Sequence, residues 1–133
     1  MRQFYVGGVK ILNDNGEYHM QSMIEKSNIS SQELEELLKA REEGKVDFLL
    51  VDVREPMEYE MGHIKGVDML KPTSSFPQWG QELFNETQDK KVIFTCRTGN
   101  RSAQVQHVFS QNGHKGAINH DGGIVTYRGE TEI

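Results

Sequence analysis

Residues 91–102 read KVIFTCRTGNRS, and this stretch decides the fold. Its first five residues form a short, mostly apolar run with β-branched side chains, which predicts a strand covered on both faces. The next residues predict a loop around Cys96, and a helix is expected over residues 101–111, with Gly113 at its end. Because ligands bind beyond the carboxyl ends of strands in α/β sheets, Cys96 stands where a functional site is expected.

The flanking sequence continues this alternation of strands and helices. FLLVDV at residues 48–53 is a second apolar run that predicts a parallel strand. Ser30 and Glu33 form a capping box that opens a helix ending near Gly44. Further helices are expected at residues 55–61 and 79–85, and further strands at residues 66–70 and 116–119. The sequence therefore predicts an α/β domain with a small, mainly parallel sheet flanked by helices.

Residues 1–27 follow a different pattern. Two apolar stretches, FYVGGVKIL and GEYHMQSM, are separated by the turn sequence NDNG at residues 13–16. Asn and Gly tolerate positive φ angles, so this spacing predicts a β-hairpin. We expect a hairpin extension over residues 1–27 and the main domain over residues 28–133. The hairpin would cover an edge of the core or, alternatively, serve docking or dimerisation.

Length and charge exclude several classes of protein. A chain of 133 residues suits one domain. The net charge is −5 and no basic block occurs, so no nucleic-acid partner is expected. No run approaches the roughly 18–20 apolar residues of a membrane-spanning helix. The first residues lack the pattern of a secretory signal, so we expect no membrane association and a cytoplasmic location.

Cys96 is the single cysteine, which rules out an intramolecular disulfide and a Cys-x-x-Cys motif. At a helix N-terminus, free backbone N–H groups and the positive end of the helix dipole favour a negatively charged sulfur. Arg97 and Arg101 add positive charge, and Gly99 lets the loop curl so that its N–H groups point inward. These features predict a thiol with a lowered pKa, which is typical of a reactive cysteine.

Three stretches resemble the signature motifs of rhodanese-like domains. They are VDVREPMEYEMGHIKG (residues 51–66), CRTGNRS (residues 96–102) and HDGGI (residues 120–124). Their order and spacing match the family, and the similarity runs from about residue 30 to residue 129. Two positions depart from the family pattern. Thr95 stands where an aromatic residue or histidine is frequent, and Tyr127 stands where tryptophan is usual.

The resemblance implies a rhodanese-like fold and a role for each matching residue. Cys96 matches the nucleophile that accepts sulfur. The loop whose backbone amides surround the persulfide corresponds to Arg97, Thr98, Gly99, Asn100 and Arg101. The turn that supports this loop, without taking part in the chemistry, corresponds to Asp52, Arg54 and Glu55.

The implied function is a sulfurtransferase. Sulfane sulfur would move from thiosulfate or polysulfide to a thiol or cyanide through a persulfide on Cys96. No second cysteine can resolve the persulfide, so the acceptor, a small thiol or a protein, must come from outside. No cofactor is implied, and the scattered histidines predict no metal site. We expect residues 71–80 (KPTSSFPQWG) to form a loop bordering the pocket and His120 to line it.

Two other functions are compatible with parts of this pattern. A sulfur-carrier or sulfur-sensing module that docks on a partner would keep Cys96 but show negligible turnover by itself. A cysteine phosphatase or arsenate reductase also uses a cysteine and an arginine around an anion. Four residues separate Cys96 from Arg101, whereas the cysteine phosphatases that this loop resembles have five, which make a ring wide enough for a tetrahedral phosphate.

Overall fold

The structure is a computed structural model, and it describes residues 4–6, 9–11 and 15–133. The strands are β1 (Phe4–Val6), β2 (Val9–Ile11), β3 (Asn28–Ile29), β4 (Leu49–Asp52), β5 (His63–Ile64), β6 (Met69–Leu70), β7 (Val92–Thr95), β8 (Ala117–His120) and β9 (Thr131–Glu132). The α-helices are α1 (Asn15–Ile24), α2 (Ser31–Glu42), α3 (Pro56–Glu60), α4 (Phe76–Glu86) and α5 (Asn100–Gln111). Short 3₁₀ helices occur at Thr73–Ser75 and Ile124–Thr126.

The centre of the fold is a parallel sheet with the strand order β3-β8-β7-β4-β6. Strand β7 lies in the middle, with β8 on one side and β4 on the other. Because these strands are parallel, their carboxyl ends meet at one edge of the sheet. Cys96 follows β7 directly at that edge.

Side chains from alternate strand positions form a core on each face of the sheet. On one face, Leu50, Ile93 and Ile118 pack with buried residues of α1 and α2. On the other face, Val51 and Phe94 pack with buried residues of α4 and α5. The sheet is thus covered by helices on both sides, which explains the near-continuous apolar runs of β4 and β7.

The structure confirms the mainly parallel sheet and the start of α2. Ser30 Oγ accepts a hydrogen bond from the Glu33 N–H at 3.1 Å, and Glu33 Oε1 accepts one from the Ser30 N–H at 3.0 Å. This reciprocal pair is the predicted capping box. The helix ends at Glu42, and Gly44 follows with φ of +73°.

The prediction for the N-terminal stretch was wrong in its second half. Strands β1 and β2 pair antiparallel, so the hairpin lies within FYVGGVKIL. The stretch GEYHMQSM belongs to helix α1 instead of a second strand. Met23 and Ile24 are buried and Met20 is half-buried against the same core, a spacing that suits a helix and not a strand. Part of the predicted turn, residues 13 and 14, lies outside the described residues.

Two further predictions need correction. Most of the stretch 71–80 is helical and not a loop, because a 3₁₀ helix covers Thr73–Ser75 and α4 begins at Phe76. Pro77 lies in the first turn of α4, where its missing N–H costs no helix hydrogen bond. The strand expected at residues 66–70 shortens to β6, since Gly66 turns the chain with φ of +105°. The two-residue strands β3, β5 and β9 were not predicted, and β9 pairs antiparallel with β5.

Candidate active site

Cys96 lies in the tight connection between β7 and α5. Its side chain is 1% exposed and packs within the core on the α4 and α5 side of the sheet. Gly99 precedes α5 with φ of +96°, a conformation that favours glycine. A Cβ at this position would lie 2.9 Å from the Gly122 nitrogen, so the packing also requires glycine. The loop is therefore held in one tight curl around the sulfur.

The thiol is surrounded by hydrogen-bond donors. The N–H groups of Gly99 and Ser102 donate to Cys96 Sγ at 3.1 and 3.4 Å, and Ser102 Oγ lies 3.3 Å from the sulfur. Burial acts to raise the pKa of the thiol. The Ser102 hydroxyl and the N–H groups of Ser102, Gly99 and Thr98 outweigh burial and hold this pKa below its usual value. The site thus favours negatively charged sulfur, mainly through neutral donors.

Arg101 is engaged in an ion pair with α3. Its Nη1 and Nη2 donate to Glu58 Oε1 and Oε2 at 2.7 and 2.9 Å, a bidentate geometry. The hydrogen bond from Arg101 is the main reason that the pKa of Glu58 falls to about 2, although partial burial opposes it. Arg101 therefore fastens the loop to α3, and its charge also acts on Cys96.

Arg97 lies in a different environment. Its side chain is exposed, and it makes no ion pair with any residue between 20 and 133. The side chains of Thr98 and Asn100 are exposed as well. The rim of the loop therefore consists of solvated side chains, while its backbone faces the sulfur.

Asp52 and Arg54 form a buried ion pair at the end of β4. Arg54 Nη2 lies 2.8 Å from Asp52 Oδ2, and Arg54 Nε donates to both carboxylate oxygens at 3.1 Å. Arg54 also donates to the carbonyls of Gly62 and Glu58 at 2.8 and 3.4 Å. These contacts join Arg54, which precedes α3, to one carbonyl within the helix and one just beyond its end, and so help to hold Glu58 where it reaches Arg101.

Glu55 connects the same region to the segment before α4. Ser74 Oγ donates to Glu55 Oε1 at 2.6 Å, and the Glu55 N–H donates to Glu58 Oε1 at 3.0 Å. The structure therefore brings Asp52, Arg54 and Glu55 together as a support around α3, and none of the hydrogen bonds to Cys96 Sγ comes from them.

The end of the HDGGI stretch and the residue after it are hydrogen-bonded to the backbone of the Cys96 loop. The Ile124 N–H donates to the Cys96 carbonyl at 2.9 Å, and the Val125 N–H donates to the Arg97 carbonyl at 3.1 Å. A Cβ on Gly123, whose φ is +66°, would lie 2.4 Å from the Arg97 carbonyl oxygen. Only glycine permits this close approach between the two backbones.

Sequence reasoning missed Ser102 and Glu58. Ser102 follows the predicted loop in the first turn of α5, where N–H groups lack helical partners. Its position in the sequence could therefore have predicted a donor to Cys96. Glu58 lies three residues after Glu55 and just after Pro56, a spacing typical of a helix start. Its partner Arg101 lies 43 residues away, and only the fold shows that the two meet.

His120 does not line an open pocket as predicted, because it is fully buried at the end of β8. Among the described residues, no group of three or more His, Cys, Asp or Glu side chains is arranged to hold a metal ion. None of the described helices combines the length and apolar character needed to cross a membrane.

Comparison of the chain with known proteins identifies its family. The family model described as Rhodanese-like domain matches residues 33–130. A tRNA uridine(34) hydroxylase of Streptococcus thermophilus is 30% identical over 89 residues, which are 65% of this chain and 27% of that protein. A probable adenylyltransferase/sulfurtransferase MoeZ of Mycobacterium tuberculosis is 33% identical over 78 residues, 59% of this chain and 19% of that protein.

The fold has a matching solved structure. The crystal structure of a rhodanese-like domain protein from Staphylococcus aureus aligns with a TM-score of 0.63 and 28% identity, covering 81% of this chain and 98% of that one. The curated relatives are much longer, since the chain spans only about a fifth to a quarter of their length. The family model covers well over half of the chain and ends beyond the HDGGI stretch. This chain belongs to the rhodanese-like domain family.

Proposed function

We propose that this protein is a sulfurtransferase that carries sulfane sulfur as a persulfide on Cys96. The observation that carries the proposal is the set of N–H and O–H donors around Cys96 Sγ, supplied by Gly99 and Ser102. Such donors stabilise the thiolate before sulfur transfer and the anionic persulfide after it. One relative, the MoeZ protein, has the word sulfurtransferase in its name, which supports the proposed sulfur transfer.

The proposed reaction has two displacement steps. The Cys96 thiolate attacks the outer sulfur of thiosulfate, the S–S bond breaks, and sulfite leaves with the electron pair. An acceptor, cyanide or a thiolate, then attacks the terminal sulfur of the persulfide, and the Cys96 thiolate leaves. Because the chain has one cysteine, a thiol acceptor must come from another molecule. We place this chemistry in the cytoplasm, with small sulfur-containing anions as donors and a small thiol or a protein as acceptor.

A phosphatase function has less support. The loop from Cys96 to Arg101 has one residue fewer between cysteine and arginine than the cysteine phosphatases that it resembles, which suits a single sulfur atom better than a phosphate. In addition, Nη1 and Nη2 of Arg101 each donate a hydrogen bond to Glu58, so part of the donor capacity of Arg101 is used within the protein.

A sulfur-carrier module without its own turnover is the second candidate. The specific observation in its favour is that both relatives contain the matching segment as a minor part of a longer chain. In such an arrangement, a docked partner would supply or collect the sulfur carried by Cys96.

Intact-mass measurement after incubation with thiosulfate, and separately with polysulfide, tests the proposal. We expect the mass of one sulfur atom to be added per chain and to be removed by cyanide or a reductant. Cys96→Ser is the control and should gain nothing. Steady-state formation of thiocyanate separates the two candidates, because a carrier loads sulfur but turns over negligibly. No added sulfur with either donor, or the same addition in Cys96→Ser, would refute a Cys96 persulfide.

A further inference from the structure

A buried histidine lies directly behind the catalytic loop. His120 is 0% exposed, and both of its ring nitrogens have hydrogen-bond partners. Nδ1 lies 2.7 Å from Thr95 Oγ1, and Nε2 lies 2.7 Å from Ser31 Oγ. Burial lowers the pKa of His120 to about 4, against the opposing charge of Asp121, so the ring is neutral near neutral pH.

The hydrogen bonds around His120 form one continuous network. Thr126 Oγ1 donates to the Gly123 carbonyl at 3.1 Å and lies 2.7 Å from Ser31 Oγ, which is itself 3.5 Å from the same carbonyl oxygen. Ser31 Oγ therefore joins His120 Nε2 to the HDGGI turn. A neutral ring has one donor and one acceptor nitrogen, and a hydroxyl can take either role. The Thr95 and Ser31 hydroxyls thus satisfy both nitrogens of a neutral His120.

Both ends of this network touch the backbone that shapes the site. At one end, Thr95 is the residue immediately before Cys96. At the other end, Gly123 packs against the Arg97 carbonyl, and the next N–H, that of Ile124, donates to the Cys96 carbonyl. His120 therefore connects the strand that enters the loop with the turn that closes it.

We propose that neutral His120 is a positioning residue that sets the Cys96 loop through Thr95 and through the Ser31–Thr126–Gly123 chain. It does not touch the sulfur. Its effect is to hold the Gly99 and Ser102 N–H groups in line with Cys96 Sγ, and thus to keep the thiol reactive. The consequence for sulfur transfer rests on the proposed function, whereas the consequence for thiol reactivity does not.

Two amide variants separate the halves of the network. In His120→Asn, the amide group takes the place of Nδ1 and still bonds to the Thr95 hydroxyl, while the bond to Ser31 is lost. In His120→Gln, the amide group takes the place of Nε2 and still bonds to the Ser31 hydroxyl, while the bond to Thr95 is lost. Loss of one such bond is expected to slow alkylation of Cys96 by iodoacetamide near pH 7 about three- to tenfold.

Thr95→Val tests the same contact without changing the histidine. It removes the hydroxyl with little change in volume, and it should slow Cys96 alkylation as His120→Gln does. Added to His120→Gln it should have little further effect, because that contact is already absent. Added to His120→Asn it should slow the reaction again. Simple additivity in both backgrounds would contradict the proposed contact between Thr95 and His120.

His114→Gln is the matched control for loss of a buried histidine. His114 is 2% exposed and also uses both ring nitrogens, with Thr87 Oγ1 at 3.0 Å and the Gly116 N–H at 3.1 Å. It precedes β8 and so lies at the opposite edge of the sheet from Cys96. We expect this variant to lower the melting temperature but to leave the alkylation rate and the pKa of Cys96 unchanged.

The alkylation rate of Cys96, measured against pH, and the intact mass after thiosulfate treatment are the two readouts. Slower alkylation in both His120 variants and in Thr95→Val, but not in His114→Gln, would support the proposal. Alkylation rates in the His120 variants that equal or exceed the parent rate, or that fall only as far as in His114→Gln, would overturn it. If the parent protein takes up no sulfur, the proposed function fails, while the alkylation comparison still decides the role of His120.

Discussion

The ion pair between Glu58 and Arg101 predicts how stability depends on pH. The pKa of Glu58 is about 2 in the folded chain, against 4.5 as its ordinary value. That difference corresponds to at most about 3 kcal/mol of folding free energy from this group. The two side chains are 30% and 33% exposed, so solvent screening reduces the expected contribution to about 1–2 kcal/mol. We expect Glu58→Gln to lower the free energy of unfolding by this amount near pH 7.

The sign of the pH dependence follows from the lowered pKa. The contribution of Glu58 is fully present above pH 4.5 and is lost as the pH falls toward about 2, because the unfolded chain binds the proton first. Urea denaturation of the parent and of Glu58→Gln should therefore show a difference near neutral pH that shrinks in acid. Sulfur transfer should weaken as well, since Arg101 then no longer holds the loop against α3.

Glu60→Gln is the matched control, because Glu60 lies on the same helix with an exposed side chain. It should leave both stability and sulfur transfer nearly unchanged. The reasoning is refuted if the two variants have equal stability near neutral pH. A stability difference that persists undiminished near pH 2 would refute it as well.

Three further changes probe the rim, the length and the closure of the loop. Arg97→Ala should lower kcat/KM for thiosulfate about tenfold and affect an uncharged persulfide donor less, because this exposed guanidinium attracts anions; equal losses would contradict that role. A glycine inserted between Gly99 and Asn100 should widen the ring, slow sulfur transfer and increase phosphate affinity, when both are measured side by side. Gly123→Ala should destabilise the fold by about 2 kcal/mol or more in thermal denaturation, and more than Gly113→Ala, which shares a positive φ but meets open space.

The central part of the fold was predictable because its signals are local. The runs around β4 and β7 are apolar over consecutive residues, and the Ser30 capping box involves residues only three positions apart. Strands of two residues carry no comparable signal, since pairing with a neighbour defines them. Helix α1 was misassigned because a turn sequence beside an apolar stretch suggested a hairpin, although Met20, Met23 and Ile24 have helical spacing.

The candidate site, like the fold, has a part that the sequence predicts and a part that it does not. Cys96 and its loop are contiguous in sequence, so their proximity followed from the chain itself. Glu58 and Arg101 are 43 residues apart, and His120 meets Ser31 across 89 residues. Those contacts depend on the order of strands in the sheet, which no short stretch of sequence contains. The sequence also suggested that arginine charge lowers the pKa of Cys96, whereas burial and hydrogen bonds dominate that pKa.

The placement of backbone and side chains around Cys96 has a consequence for how such a site can diversify. The donors to the sulfur come largely from main-chain N–H groups, which substitutions at Thr98 or Asn100 leave in place. The side chains at these two positions and at Arg97 face solvent instead. Mutations at the rim can therefore change which molecule reaches Cys96 while the hydrogen bonds to its sulfur are preserved. Selection for a new donor or acceptor would act on these exposed positions first, and the glycines that shape the loop would tolerate the least drift.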